Sequence, residues 1–200
     1  MEVDIIISNQ SQDRKTGLLE TCFDTFCEYG LENTTLLMLS KACNLTNATL
    51  LYYFGSKENI IIEATAHCMA KVEDDFMAQV PTSFGDIERF LREKPYITAE
   101  LHGAKYRFMY QMYASPRFWE YGKVLFFKGL DVCYRKYAQL LSGKLGLPVD
   151  LIKGMTYTFV RACVHYALFE DEEYLQLQLN AIRASLRAIS AGIGYEKEKA

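Results

Sequence analysis

The sequence predicts an all-α fold of about nine helices, a small unit of about three followed by a larger one. Three observations carry this. Apolar residues recur at helical period nearly throughout the 200 residues, with no strand-like alternation, internal repeat or long linker. Thr, Ser, Pro and Gly fall where helices begin and end. Half the chain is hydrophobic, with only 12 Gly and 4 Pro, which excludes a disordered, collagenous or turn-rich β chain.

The elements follow in order. Between Arg14 and Tyr29, Leu18, Cys22 and Phe26 lie four apart, and Leu19, Phe23 and Cys27 repeat this one step round, so they form one apolar stripe. Gly30 follows as a residue free to take positive φ. Thr35 can cap a short helix carrying Leu36, Leu39, Ala42 and Cys43. Asn44 marks a turn, Thr46 caps a third helix to about Phe54, and Ser56 caps a fourth running from Lys57 toward Gln79. Ser83 is placed to cap the next, which Pro95 should stop. Ile97, Leu101, Ala104, Phe108 and Met112 mark another. Ser115-Pro116 reads as the start of a long helix to about Leu145, ended by Gly146-Leu147-Pro148. Asp150–Phe169 is apolar almost all round, as in a helix covered on more than one side. Glu170-Asp171-Glu172-Glu173 places four carboxylates at the start of the last helix, which should end at Gly192 or Gly194.

Two short helices joined by a tight turn and braced by a longer one form the helix-turn-helix plan, with the third helix reading DNA. Its outward side chains include Asn47, Thr49 and Tyr53, with groups able to meet base edges. Lys57, in the first turn of the fourth helix, stands beside free N–H groups at a natural phosphate site. The stretch from Thr34 to Ile60 resembles the signature of tetracycline-repressor (TetR) family regulators. Thr35, Leu39-Ser40, Leu45-Thr46, Leu50, Tyr53-Phe54 and Lys57-Glu58 match it in register without gaps. The specific resemblance spans roughly residues 12 to 65, and the remainder agrees in length and helix count. It implies a DNA-binding domain over residues 1–57 and a helical effector-binding and dimerisation domain over 58–200. Within the first, Thr35, Thr46, Asn47, Thr49, Tyr52, Tyr53 and Lys57 are the candidate DNA contacts.

The match has departures. Asn44 replaces the usual turn Gly, Cys43 a small Ala, and Ala48 a common Gly. Leu51 stands where the family has a phosphate-contacting Tyr, so Tyr52 and Tyr53 are left to supply a hydroxyl. The overall net charge of −3 is not that of a typical nucleic-acid binder. The deficit lies in the head. Residues 1–60 hold only Arg14, Lys15, Lys41 and Lys57 against eight Asp and Glu, whereas residues 61–200 sum to +1. Few cations predict few phosphate anchors and a shallow salt dependence.

Of 27 aromatic residues, 21 lie after residue 60. Most must be core, but Tyr106, Tyr110 and Tyr113 fall on a different face from Leu101, Ala104 and Phe108, as on a helix that lines something. The resemblance implies a small, largely apolar or aromatic effector among these helices. Candidate contacts are Phe108, Met109, Met112, Tyr113, Trp119, Phe126, Tyr134, Phe159 and Tyr166, with Arg161 and His165 as a polar pair one turn apart. The last helix carries Leu175, Leu179, Ile182, Leu186, Ile189 and Ile193 at spacings of 4, 3, 4, 3, 4, a heptad seam suited to a homodimer. The same seam could instead pack on the chain's own core.

The start Met-Glu-Val-Asp is acidic where a signal peptide is basic, and the longest uncharged stretch is too short and polar to span a membrane, so a cytoplasmic protein is expected. The six cysteines show neither C-x-x-C nor zinc spacing and read as reduced, mostly core thiols, with redox sensing as the alternative. No phosphate loop, nucleophile elbow or metal motif points to an enzyme, a cofactor or a metal. The functional expectation is a ligand-responsive, DNA-binding repressor, homodimeric on a near-palindromic double-stranded operator. The alternative is a helical effector-binding or protein-interaction module whose DNA binding is weakened or lost.

Overall fold

The computed structural model describes the backbone of residues 2–79, 81, 84–124 and 130–197, and their side chains except at 2–12, 84, 85, 130, 132, 133, 144, 145, 190 and 192–197. Among these residues there are nine helices and no strand: α1 (Glu2–Tyr29), α2 (Leu36–Ala42), α3 (Asn47–Phe54), α4 (Lys57–Ala78), α5 (Phe84–Ala114), α6 (Trp119–Lys123), α7 (Leu130–Leu145), α8 (Val149–Phe169) and α9 (Glu172–Lys197). The chain packs as two units. One is residues 1–78 with 104–129; the other is 79–103 with 130–200. The helix α5 contributes to both.

In the first unit α1 packs on α4 and α2, and α3 bridges α2 and α4. The α1 stripe is the core: Leu18, Leu19, Cys22, Phe23 and Phe26 are buried, with Leu39, Leu50, Ile60 and Ala64 from the other helices. Phe108, from the C-terminal part of α5, completes it. Its ring stacks on Phe26 at 5.2 Å and meets Phe23 edge-on at 5.6 Å. Gly30 ends α1 at φ +82, and its N–H donates to the Phe26 carbonyl at 2.8 Å. At the surface, Glu20 of α1 holds both His67 and Lys71 of α4, and the Lys71 hydrogen bond keeps its carboxyl below the usual range.

In the second unit α8 packs against α7 and α9. Ile152, Phe159, Val160, Ala162, Cys163 and Val164 of α8 are buried, as are Leu175, Leu179 and Ile182 of α9. Glu170 closes α8 in the left-handed region at φ 54, and its N–H donates to the Tyr166 carbonyl at 2.8 Å. Asp171 then caps α9 through the N–H of Tyr174 at 2.9 Å. Asp131 of α7 holds Lys153 and accepts the Tyr157 hydroxyl of α8 at 2.9 Å. Hydrogen bonds from Lys153 and Tyr157 press its carboxyl down to about 2.

Four boundaries differ from the sequence reading. The first helix begins near Glu2, not Arg14. Pro95 does not stop its helix: α5 runs unbroken from Phe84 to Ala114, with Pro95 buried inside it. Proline removes one backbone hydrogen bond, and here the buried neighbours Leu91, Lys94 and Thr98 keep the helix on its course. Ser115-Pro116 opens a turn rather than a long helix. Phe118 donates back to the Ser115 carbonyl at 3.1 Å, short α6 follows, and a separate α7 begins at Leu130. Gly192 and Gly194 lie inside α9. The Ser83 cap and Phe126 fall outside the described residues.

Truncating Phe108→Ala removes the ring between Phe23 and Phe26 and should cost about 3–5 kcal/mol in urea unfolding. Asp131 has a folded-state pKa below its ordinary 3.8, so its stabilising contribution is complete above that value and is lost as pH falls toward about 2. The stability difference between wild type and Asp131→Asn, followed by urea midpoint, should therefore be largest above pH 4 and shrink toward pH 2.

Candidate functional site

The exposed end of the first unit is the helix-turn-helix. Thr35 Oγ1 accepts from the Met38 N–H at 3.2 Å and starts α2; Thr46 Oγ1 accepts from the Thr49 N–H at 3.1 Å and starts α3. Between them Asn44 takes φ 53, and the Leu45 N–H donates to the Ser40 carbonyl at 2.8 Å, which closes the turn. Ser56 caps α4 through the Asn59 N–H at 3.1 Å. These contacts are local, which is why the sequence alone places them.

On α3, Leu50 and Phe54 face the core, Asn47 and Ala48 are exposed, and Tyr52 is 87% exposed. Other candidate side chains are already engaged. Asn47 Oδ1 accepts the Ser40 hydroxyl at 2.6 Å, which leaves its amide N–H groups facing outward. The Thr46 and Thr49 hydroxyls share a 2.8 Å hydrogen bond. Arg14 lies 6.0 Å from the Tyr53 ring centre, which makes Tyr53 a platform for a cation. Lys15 pairs with Glu63 at 2.6 Å and covers the Phe54 ring. Lys57 is half-buried in the first turn of α4, and beside it Glu58 is paired with Arg117. That pairing was not visible in the sequence. Among the described residues, 104–124 bring four Lys and Arg (Lys105, Arg107, Arg117 and Lys123) against the single Glu120 into this unit, a partial remedy for its acidic head.

Gln111 is a second unforeseen residue. Its Oε1 accepts the Leu31 N–H at 2.9 Å, just past the end of α1. A Cβ at Gly30 would sit 3.1 Å from that oxygen. An open groove of about 430 Å³ runs beside this contact, lined by residues that include Tyr29, Asn33, Gln111 and Pro116.

The sequence-derived effector contacts are divided between the two packing units. Phe108, Met109 and Met112 are fully buried in the first unit, where Phe108 serves the head's core rather than a ligand surface. Tyr113 packs against Gly122, where a Cβ would collide with its ring. Trp119 is half exposed beneath Lys123, 5.0 Å from the ring centre. The second unit holds the others. Tyr134 meets Tyr157 edge-on at 4.9 Å, Phe159 meets Phe90 at 5.1 Å, and Tyr166 meets Tyr96 at 5.1 Å. Arg161 and His165 are both half-buried, and the His165 ring lies between Phe169 and Tyr174 at 4.8 and 4.2 Å.

The apolar stripe expected on α5 is displaced. Leu101 and Ala104 are exposed, whereas Lys94, Thr98 and His102 are buried one turn apart. Lys94 is only 2% exposed and donates to Gln79 Oε1 at 2.9 Å; Thr98 Oγ1 is buried without a hydrogen-bond partner. Cys163 of α8 lies near enough to feel the Lys94 charge, although burial dominates and pushes its thiol up. A search for apolar periodicity passes over such a polar seam.

On α9, Leu175, Leu179 and Ile182 of the heptad seam are buried within the chain, while Leu186 and Ile189 remain half-exposed. The side chain of Ile193 is outside the described set. Asp150, Leu151, Gly154, Met155 and Thr158 of α8 and Ala181, Ile182 and Ser185 of α9 line an open groove of about 360 Å³. Among the described residues no cluster of His, Cys, Asp and Glu could hold a metal ion, and no helix is long and apolar enough to cross a membrane.

A family model described as bacterial regulatory proteins, tetR family, matches residues 18–64, from within α1 into α4. Among solved structures the chain is similar to the transcriptional regulator FadR from Bacillus subtilis, determined in complex with stearoyl-CoA. The two share 15% identity with a TM-score of 0.55, over 82% of this chain and 93% of that one, which is a likeness of fold. No curated protein sequence matches.

Thr46→Ala deletes both the cap of α3 and its partner for the Thr49 hydroxyl. It should lower stability in thermal or urea unfolding by about 1 kcal/mol, whereas Thr46→Ser should retain most of it.

Proposed function

We propose, from the match of residues 18–64 to the tetR family model, that this chain is a homodimeric, ligand-responsive repressor. It would bind a near-palindromic DNA operator and be released by a small, largely apolar or aromatic effector. The observation that carries the reading is α3, capped by Thr46, with Asn47 and Tyr52 outward and Lys57 opening the next helix. Residues 1–57 form the DNA-binding part, with Thr35, Thr49 and Tyr53 completing the contact set; residues 58–200 serve effector and dimer.

For the dimer, the groove across α8 and α9 supports a two-fold contact. Gly154, Ala181 and Ser185 allow close approach, and Leu186 and Ile189 still need cover. A two-fold pair would set two reading helices about 34–36 Å apart, one turn of DNA. For the effector, Tyr134, Phe159, Arg161, His165 and Tyr166 remain the candidates in the second unit. The buried Lys94, Thr98 and His102 support a polar group on an otherwise apolar molecule. Effector binding there would act as a population shift between two states of the dimer.

The acidic head favours a second reading, a helical module with weakened or lost DNA binding. Eight Asp and Glu face four Lys and Arg over residues 1–60, and Lys15 is already paired with Glu63.

One titration separates the two. Duplexes selected from a random pool should bind with a shallow salt slope, and Lys57→Ala should reduce that slope by about 1. Absence of binding at about 50 mM salt selects the second reading. In light scattering the chain should run at about twice 23.0 kDa, and Leu186→Glu should shift it to the monomer mass without loss of helical circular dichroism.

A further inference from the structure

The first unit contains a pair of thiols that DNA recognition does not use. Cys22 lies on α1 and is fully buried; Cys43 caps the end of α2 and is half-exposed. Their sulfurs are 3.5 Å apart, and both are free thiols. Cys43 Sγ also lies 3.9 Å from the Leu18 carbonyl oxygen, so sulfur contacts join the α2 end to α1. The next residue, Asn44, is the left-handed turn that leads to Thr46 and the reading helix.

We propose that Cys22 and Cys43 are a peroxide-oxidisable pair that closes to a disulfide, stapling the helix-turn-helix turn onto α1. The two cysteines have distinct roles. Cys43 is reached from solvent, and the hydrogen bond from the Cys22 thiol lowers its pKa, so it is the nucleophile. The same hydrogen bond and burial push the Cys22 thiol up, so Cys22 keeps its proton until it resolves the product. The other thiols of this unit are poorer candidates, since burial raises Cys27 to about 12 and Cys68 to about 11.

In the first step the Cys43 sulfur attacks a hydroperoxide, the O–O bond breaks, and a sulfenic acid and water (or an alcohol) form. In the second, Cys22 sulfur attacks the sulfenic sulfur. The S–O bond breaks, the S–S bond forms, and the hydroxyl leaves as water with the Cys22 proton. Two thiols are oxidised and one peroxide is reduced. The sulfurs must approach by about 1.5 Å to reach disulfide length. That movement draws the α2 end and its turn toward α1, which ties the reading helix to the redox state of the cell. Disulfides in reducing compartments are typically of this transient, sensing kind.

The chemistry does not depend on the DNA-binding reading and is tested without an operator. The reduced full-length protein is treated with hydrogen peroxide, followed by intact mass and a non-reducing peptide map. The expected result is loss of the two thiol hydrogens, a cross-link joining the Cys22 and Cys43 peptides, and reversal by dithiothreitol. Amide hydrogen exchange across residues 36–46 should slow in the oxidised form. In Cys22→Ser, Cys43 should stop at a dimedone-reactive sulfenic acid, and Cys43→Ser should form no cross-link. The wild-type map decides the question even where a variant does not fold. A cross-link from Cys22 to Cys68, a Cys43 dimer between molecules, an uncross-linked sulfinic acid at Cys43, unchanged mass, or unchanged exchange over residues 36–46 would each overturn the proposal.

Discussion

The helix-turn-helix unit depends on an aromatic ring from outside its own stretch of sequence. Phe108 stacks on Phe26 and meets Phe23 edge-on, and all three are fully buried. A three-helix head of about sixty residues buries a modest fraction of its surface and is marginal alone. The returning part of α5 enlarges that core, and Gln111, one turn beyond Phe108, fixes the amide that follows α1. The placement of α2 and α3 therefore rests on α1, and α1 rests in part on residues some eighty positions later in the chain.

The same return changes the electrostatics. A head with twice as many acids as bases is a poor polyanion binder on composition. Arg117 neutralises Glu58 directly beside Lys57, and the accompanying segment is strongly basic. The local field near the first turn of α4 is thus less negative than a count over residues 1–60 suggests. Exposed ion pairs of this kind add little to stability, so their weight falls on which charges a phosphate would meet.

What the sequence conveys well is chemistry that acts within a few residues. Thr35, Thr46 and Ser56 cap the helices they were expected to cap, and Asn44 adopts the left-handed turn. These need only a hydroxyl or a tolerant backbone next to the helix end. Pro95, Ser115-Pro116 and Gly192 read wrongly because their local preference is overruled by packing or continued helical bonding. Leu101, expected on the apolar stripe, is exposed while Lys94 is buried, since apolar periodicity is blind to a buried polar seam. The effector candidates are divided for a related reason. Aromatic residues close in sequence, such as Phe108 and Tyr134, were grouped together although they pack in different units.

The discontinuity of the first unit bears on how such a protein can be reassembled by recombination. A segment ending at residue 57 or 78 would carry the reading helix but leave Phe108, Gln111 and Arg117 behind. Grafted onto another scaffold, it would keep its outward side chains on α3 and lose part of the floor that orients them. The outer face of α3 is therefore the part that can be altered by substitution without disturbing this support. Exchange of the whole head requires compatible partners at Phe23, Phe26 and Leu31, so the recognition surface is portable while its support is not.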